Sequence, residues 1–164
     1  MALTDWNPNT TVTRGNVAVR LAPAIADINA PKVTELSTGM SIECSITDFV
    51  ASSSVNSESV DWLCNPVSET LPGSTEHSIE DVMIKVNGQT DDALYTQLAP
   101  GDVTYIWRRD GMPHDTAVAA GQYVWVWRVQ CTGVDPMDAS NAYAAINAHF
   151  TVLDRTSVPV LVVA

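Results

Sequence analysis

The feature that most constrains this chain is a run of β-branched and aromatic residues, GQYVWVWRVQ, from Gly121 to Gln130. Such residues favour the pleated, packed surface of a β-strand. Because side chains alternate along a strand, Trp125 and Trp127 lie on one face and Val126 lies on the other. Large apolar groups on both faces can bury much surface, so we expect this strand to be the spine of a β-rich core.

A second run, VTYIWRR from Val103 to Arg109, has the same character. The loop between the two runs begins with turn residues and ends at Gly121. A turn-rich loop between two strand-like runs is typical of an antiparallel pair. The arginines that end the first run, Arg108 and Arg109, could bridge to acidic groups on another subunit or form a solvated strand edge.

Apolar alternation predicts four further strands, and one amphipathic segment predicts a short helix. The predicted strands cover residues 14–21, 40–47, 78–87 and 143–153. The helix covers residues 92–98, where Thr90 or Asp91 can cap its start and Pro100-Gly101 ends it. The stretch over residues 22–39 is predicted to be a long connection with room for a short helical turn.

The length of 164 residues suits one domain that buries about two thirds of its unfolded surface. Residues 1–13 are polar and unpatterned except for Trp6, so we expect an N-terminal arm before a single β-rich domain over residues 14–164. Residues 48–76 are rich in serine and turn residues yet contain Trp62 and Leu63. Loops of this length are usually functional or disordered, and we predict an ordered contact loop here.

The C-terminal segment over residues 157–164, SVPVLVVA, is almost wholly apolar. An uncharged segment of high β-propensity is prone to aggregate when it is exposed. We therefore expect Val160, Leu161 and Val162 to be buried as a strand or arm, either within their own domain or against a neighbouring subunit.

The formal net charge is −11, from 8 basic and 19 acidic residues. General nucleic-acid binding needs a basic footprint, so the composition disfavours this class of function. An acidic surface suits solubility, delayed assembly, or a passage along which a polyanion must not stick.

The sequence contains no HExxH, P-loop, GxGxxG or GxSxG motif. Cys44, Cys64 and Cys131 form no CxxC pair and the three histidines are isolated, so zinc-binding spacing is missing. We therefore predict a protein that is not an enzyme and that uses no metal or cofactor.

The order of these segments resembles that of the tail tube proteins, or major tail proteins, of long, non-contractile-tailed bacteriophages. The resemblance covers most of the chain between Gly15 and Leu153, and the two termini depart from it. The motifs that carry it are TDF at Thr47–Phe49, Leu63-Cys64 followed by Leu71-Pro72-Gly73, LAPG at Leu98–Gly101, RRDGMPHDTAVAAG at Arg108–Gly121 and VWRVQCTG at Val126–Gly133.

The resemblance implies a mainly β fold: a two-sheet β-sandwich or partly closed barrel with one flanking short α-helix, an extended N-terminal arm and a long contact loop. It also implies that six subunits close into a ring whose strands form an inner barrel, and that rings stack into the tail tube of a virion. The implied partners are further copies of the chain, the tape-measure protein, double-stranded DNA that passes without sequence-specific binding, and the tail terminator and distal tail proteins. No membrane is implied, and synthesis is expected in the host cytoplasm.

Strand faces of small polar and acidic residues are expected to line the tube, where negative potential would oppose adhesion of DNA phosphates. The candidate lumen-facing residues are Glu43, Ser45, Thr47, Asn147, His149 and Thr151. The candidate contacts between subunits or rings are Trp6, Trp62, Leu63, Arg108, Arg109, Val160, Leu161 and Val162.

Two alternative functions stay open at this point. One is another β-sandwich module of a virion, such as an immunoglobulin-like decoration or adhesion domain, which would be self-sufficient and would not polymerise. The other is a carbohydrate-binding module in which Trp107, Trp125 and Trp127 form the sugar platform.

Overall fold

The computed structural model of the chain describes residues 15–60, 69–86, 92–137 and 144–164. Within these ranges the chain forms nine strands and two short helices. In chain order they are β1 (Val17–Ala22), α1 (Val33–Ser37), β2 (Met40–Ser41), β3 (Ala51–Val60), β4 (Glu69–Ile79), β5 (Val82–Val86), α2 (Asp92–Gln97), β6 (Val103–Asp110), β7 (Tyr123–Pro136), β8 (Ala144–Arg155) and β9 (Val160–Leu161). The predicted arm, Trp6, Trp62 and Leu63 lie outside the described residues.

Seven strands form one antiparallel sheet in the order β2-β1-β6-β7-β8-β5, with β9 paired to β7. β6 and β7 are the central antiparallel pair that the sequence predicts. The sheet curls so far that the segment after β2 reaches β5. The contact is a bridge between Ile46 of that segment and Ile84 on β5. The backbone N–H of Lys85 also donates to the carbonyl of Ser45 at 2.7 Å. The result is a half-barrel, which confirms the prediction of a mainly β fold with a partly closed barrel.

The inside of the half-barrel holds the larger hydrophobic cluster, which we call the inner core. Its buried members include Leu21, Ile84, Ile106 and Val129, which come from four strands of the sheet. Leu94 on α2 belongs to the same cluster. The predicted helix is therefore confirmed, and it packs its apolar edge against the inside of the sheet.

The outside of β1, β6 and the first half of β7 is covered by a second cluster, which we call the outer core. Trp107, Val124 and Val126 of the sheet pack there with Leu36 of α1 and Val162 near the C-terminus. The three sheet residues are completely buried. The first half of β7 is thus buried on both faces, which accounts for the apolar residues at nearly all of its positions.

α1 is a second helix, in the stretch where the sequence predicts only a connection with room for a helical turn. Its first turn is closed by Glu35, whose carboxylate accepts the backbone N–H of Lys32 at 3.0 Å. After the helix, Gly39 allows a close approach to the sheet, since a Cβ at this position would lie 3.0 Å from Nε1 of Trp107. A local cap and one glycine contact therefore help to place α1 on the outer core.

The contact loop predicted over residues 48–76 is corrected by the structure, because β3 and most of β4 lie within it. The two strands form a separate antiparallel sheet. Their side chains pair across the strands, with Ser52 Oγ 2.9 Å from Ser78 Oγ and Ser53 Oγ 3.0 Å from Nδ1 of His77. The described side chains of this sheet are mostly exposed on both faces. A strand pair without a buried face needs no hydrophobic alternation, so the sequence does not reveal it.

The strand predicted over residues 40–47 is also corrected. Only Met40–Ser41 pair as β2. The chain then makes a helical turn, in which the N–H groups of Ser45 and Ile46 both donate to the carbonyl of Ile42. Residues four apart lie on one face of both a strand and a helical turn, so the spacing of the two isoleucines fits either structure.

Candidate assembly surface

The outside of the half-barrel has a second sector, formed by the second half of β7, by β8 and by β5. The register pairs Gln130 with Thr151 and Asp135 with Asn147 across β7 and β8. Asn147 is also paired with Met83 of β5. Apart from Ala145, which is buried, the outward side chains of this sector are exposed or half-buried. We call this sector the open face, and it consists of Asp81, Met83, Lys85, Arg128, Gln130, Asp135, Asn147, His149, Thr151 and Asp154.

His149 lies at the centre of the open face between two aspartates. Its Nδ1 is 2.7 Å from Oδ1 of Asp81, and its Nε2 is 3.0 Å from Oδ2 of Asp135. The amide of Asn147 donates to the second oxygen of Asp81 at 3.4 Å. Asp81 immediately precedes β5, Asp135 lies on β7 and His149 lies on β8. One imidazole ring therefore links β7 and β8 to the residue that precedes β5.

The two aspartates raise the pKa of His149. The hydrogen bond to Asp81 is the larger cause, and the hydrogen bond to Asp135 is the second. Only a protonated imidazole donates from both ring nitrogens, so the two carboxylates stabilise the charged form. The cluster can therefore hold β5, β7 and β8 together more firmly at low pH than at high pH.

The charges of the open face nearly balance. Three aspartates stand against one arginine, one lysine and His149, which adds a positive charge when it is protonated. The negative potential that the sequence predicts for a lumen wall is therefore weak on this sector taken alone.

The open face brings together half of the predicted lumen-facing residues. Those that lie on it are Asn147, His149 and Thr151. The others are Glu43, Ser45 and Thr47. These three follow β2 in and beside the helical turn and do not share a strand face with the first three. The side chain of Glu43 is only 6% exposed, and its Oε1 lies 3.9 Å from Nε of Arg20 within the same subunit.

Arg109 is 1% exposed and organises a loop of its own subunit. Its Nη2 donates to the carbonyls of Pro113 at 3.0 Å and Thr116 at 2.8 Å. Its Nη1 donates to Oε1 of Gln122 at 2.9 Å. Burial lowers the pKa of the Arg109 guanidinium, and the charge of Arg20 lowers it further. The prediction that Arg109 is a subunit contact or a solvated edge is corrected, because the side chain is internal.

Arg108 points to the opposite side of β6 from Arg109, as alternation requires. Its Nε donates to Oδ1 of Asp110 at 2.8 Å, and its Nη1 donates to the carbonyl of Phe49 at 3.3 Å. The side chain is 29% exposed. Of the two predicted contact arginines, Arg108 is the one that solvent or another molecule can reach.

The apolar C-terminal segment is only partly covered by its own subunit. Val162 is 2% exposed and belongs to the outer core, and its N–H donates to the carbonyl of Gln122 at 2.9 Å. Val160 is half-buried beside it, whereas Leu161 is 46% exposed. Val162 therefore stabilises its own domain, and Leu161 is the member of the predicted set with apolar surface left for a neighbour.

Asp81 and Asp135 are residues of the site that the sequence does not single out. They lie 68 and 14 positions from His149. No short motif covers such spacings, because the contacts arise from the register of β5, β7 and β8. Alternation along β8 does identify the face of His149, but it cannot identify what lies opposite.

The tryptophans of the central pair are core residues. Trp107 is completely buried and Trp127 is 5% exposed. Trp125 is half-buried and stacks on Trp127, with ring centroids 6.3 Å apart. A sugar platform needs exposed aromatic faces, so the burial of Trp107 and Trp127 counts against the carbohydrate-binding alternative.

The described residues contain neither a metal-binding group nor a membrane-spanning helix. Among the described residues, no group of three or more His, Cys, Asp or Glu side chains is placed to hold a metal ion. Neither helix within the described ranges is long and apolar enough to cross a membrane.

Comparison with known proteins identifies a matching family and a similar fold. A family model described as phage tail tube protein matches residues 4–164, whereas no curated protein matches the chain. A solved structure described as the cryo-EM structure of the anti-feeding prophage (AFP) baseplate, 6-fold symmetrised, contains a chain with a TM-score of 0.50 and 10% sequence identity. The match covers 89% of this chain and 93% of that one, and at this identity it shows the fold alone. Because the family model spans nearly the whole chain, this protein belongs to the phage tail tube protein family, a structural and non-enzymatic family of the virion tail.

Proposed function

We propose that this chain forms stacked hexameric rings, which build the tail tube of a long, non-contractile-tailed phage and conduct its genome into the host. The family match supports the tube. The six-fold symmetry named for the similar baseplate structure supports the number of subunits in a ring. The proposal that the tail is non-contractile is based on the sequence motifs that resemble those of tail tube proteins.

The observation that carries the proposal is the open face. The inside of the half-barrel is filled by the inner core, but among the described residues the outside is covered only over β1, β6 and the first half of β7. An antiparallel sheet that is packed on one face commonly presents its other face to water. We infer that the open face lines the aqueous lumen, with Asn147, His149 and Thr151 on its wall.

Free strand edges suit closure into a ring. β2 and β5 end the strand order of the large sheet, but the segment after β2 meets β5 at the bridge between Ile46 and Ile84, so the edges left for a neighbour within the described residues include those of β3 and β4, which pair only with each other. Edge strands are templates for pairing with another chain, and a closed ring of identical subunits protects such edges. In the proposed ring, strands of neighbouring copies would continue one another as an inner barrel.

The proposed partners are those that the resemblance to tail tube proteins implies. The lumen would contain the tape-measure protein and then double-stranded DNA, without sequence-specific binding. The tube ends would contact the tail terminator and distal tail proteins. Subunits would be made in the host cytoplasm. The net charge of −11 would keep adhesion of DNA phosphates to the tube weak.

The first test is imaging of the purified protein. We expect negative-stain electron microscopy to show rings or tubes with six-fold end views, and sedimentation to show a large assembly that forms above a threshold concentration. A monomer that persists at every concentration would contradict the proposal. So would a closed ring that never stacks, even after prolonged incubation at high concentration.

The second test locates the open face. Thr151→Cys is treated with a bulky polymer maleimide before and after assembly, and peptide mapping measures the labelling at this position. We expect strong protection in tubes, because a polymer enters a narrow lumen poorly. Ala93→Cys, on the exposed side of α2, is the matched control and should stay reactive. Equal labelling of Thr151→Cys in subunits and tubes would place the open face elsewhere.

A further inference from the structure

A pocket of about 230 Å³ opens at the end of the half-barrel where β7 begins. We call it the mouth pocket, and it is lined by Ala51, Arg108, Asp110, Trp125, Trp127 and Arg155. Its volume is below the roughly 300–1,000 Å³ of typical small-molecule sites. The pocket is therefore of a size for one side chain.

The strand register places cations and aromatic rings in one row across the pocket. Arg108 on β6 is paired with Trp125 on β7, and Trp127 is paired with Arg155 on β8. Residues two apart on β7 share a face, so all four side chains point to the inside of the half-barrel. Phe49 packs edge-on against Trp127 at 5.2 Å between ring centroids.

The two arginines differ in what they contact. Arg108 is neutralised by Asp110 at 2.8 Å. Arg155 is half-buried, and within the described part of the chain its Nε is buried without a hydrogen-bond partner. The neighbouring carboxylate of Asp154 accepts the backbone N–H of Arg155 at 2.8 Å. A buried donor that stays unsatisfied is costly, so the described residues leave this guanidinium one acceptor short, and a partner from outside would pair with its other nitrogens rather than with the buried Nε.

We propose that an aspartate or glutamate of a second copy of this chain fills the mouth pocket and pairs with Arg155. The guanidinium fork matches a carboxylate, and the tryptophan walls exclude water from the pair. The chain supplies such groups in excess, with 19 acidic residues against 8 basic ones. This inference rests on the proposed self-assembly and adds a specific contact to it.

A protein carboxylate fits the pocket better than a DNA phosphate does. A duplex is recognised by a broad basic footprint, whereas this pocket holds two arginines and one aspartate in a chain of net charge −11. Binding of a phosphate remains a distinct outcome of the experiments below.

The first experiment measures the threshold concentration for assembly by sedimentation. We expect Arg155→Gln to raise this threshold at least tenfold, and Arg155→Lys to raise it less because the positive charge is kept. Lys32→Gln, which removes one exposed positive charge beside α1 and outside the lining of the pocket, is the control and should stay within twofold of the parent. Circular dichroism checks that each variant is folded. A normal threshold for folded Arg155→Gln would overturn the inference.

The second experiment identifies the acidic partner. Tubes of Arg155→Lys are assembled from an equal mixture of unlabelled and ¹⁵N-labelled subunits and treated with a carbodiimide, which joins an amine to a nearby carboxylate. Mass spectrometry should find the introduced lysine joined to an aspartate or glutamate of the other isotope. Cross-links confined to one copy, for example to Asp110 or Asp154, would overturn the inference.

The outcomes separate this inference from the proposed function. If the parent protein forms no rings, the proposed function fails. If the parent assembles and Arg155→Gln assembles equally well, only the mouth-pocket contact fails. We would take quenching of tryptophan fluorescence by a short DNA duplex in the parent, but not in Arg155→Gln, to mean that the pocket binds a phosphate instead of a carboxylate. That result would overturn the inference.

Discussion

Within the part of the chain that the structure describes, the outside of one strand, β7, is covered over its first half and left open over its second. Val124 and Val126 lie completely buried beneath α1 and the C-terminal segment. Two positions further along the same face, Arg128 is exposed. The inner side of β7 stays apolar through Trp127 and Val129, so the change is confined to the outer side.

This difference separates the surface that one chain covers by folding from the surface that we propose is covered by assembly. On the covered half, apolar side chains must be buried for the isolated subunit to fold. On the open half, polar side chains such as Gln130 and Thr151 tolerate water, so this surface can stay exposed before the proposed assembly. Substitutions on the two halves should therefore affect different properties, and four predictions test this from the largest effect on stability to the smallest.

Trp107→Ala, on the covered half, should give the largest loss of stability. The side chain is completely buried in the outer core, and replacing a buried tryptophan by alanine costs about 3–5 kcal/mol because a cavity remains. The free energy of unfolding from urea titration measures the change. A loss below about 1 kcal/mol would mean that the outer core contributes little to folding.

Arg109→Met should lower the free energy of unfolding by about 1–3 kcal/mol, because the carbonyls of Pro113 and Thr116 lose a charged hydrogen-bond donor. Relief of the repulsion from Arg20 offsets a small part of this loss. Limited proteolysis should show faster cleavage in residues 111–122. Arg109→Lys is the informative comparison, since an ammonium cannot reach all the acceptors that the guanidinium contacts. Full stability of this variant would show that charge alone is sufficient.

His149→Gln should have a smaller effect that depends on pH. The pKa of His149 is raised above 6.5 in the folded state, so folding favours the protonated form. Its contribution is fully present below the unfolded pKa of about 6.5 and is lost as the pH rises through the folded pKa. The stability difference between the parent and His149→Gln should therefore be larger at about pH 5 than at about pH 9.

An NMR titration of the His149 ring provides the direct measurement. Asp81→Asn should bring the midpoint down towards its ordinary value, because the hydrogen bond to Asp81 is the larger cause of the raised pKa. A midpoint that does not move in Asp81→Asn would show that the aspartate does not stabilise the charged ring.

Thr151→Ala, on the open half, should change the free energy of unfolding by less than about 0.5 kcal/mol. The side chain is exposed and faces Gln130 across the strands. Thermal unfolding of Thr151→Ala and of Trp107→Ala, measured side by side, compares the contributions of the two halves to stability. A loss as large as that of Trp107→Ala would mean that the open face is covered by its own subunit.

How far the fold follows from the sequence differs between elements. β6, β7, β8 and α2 are predicted because each buries an apolar face, and burial leaves a period in the sequence. β3 and β4 are missed because most of their described side chains are exposed on both faces. The segment after β2 is misassigned because Ile42 and Ile46 satisfy a strand and a helical turn alike.

The residues of the candidate site are likewise only partly predictable from the sequence. Alternation along β8 is sufficient to identify Asn147, His149 and Thr151 as one polar face. The sequence does not show that Asp81 lies beside His149. It also does not show that Arg109 is internal while its neighbour Arg108 is accessible.

The sequence by itself determined the antiparallel pair at the centre of the sheet, the polar face of β8, and the missing catalytic and metal motifs. These properties are local, because they depend on side-chain periodicity and on short spacings. Only the tertiary structure decided that Ile46 meets Ile84 to close the half-barrel and that His149 sits between two aspartates. Those contacts join residues far apart in the chain, so they depend on sheet register and curvature, which no short stretch of sequence contains.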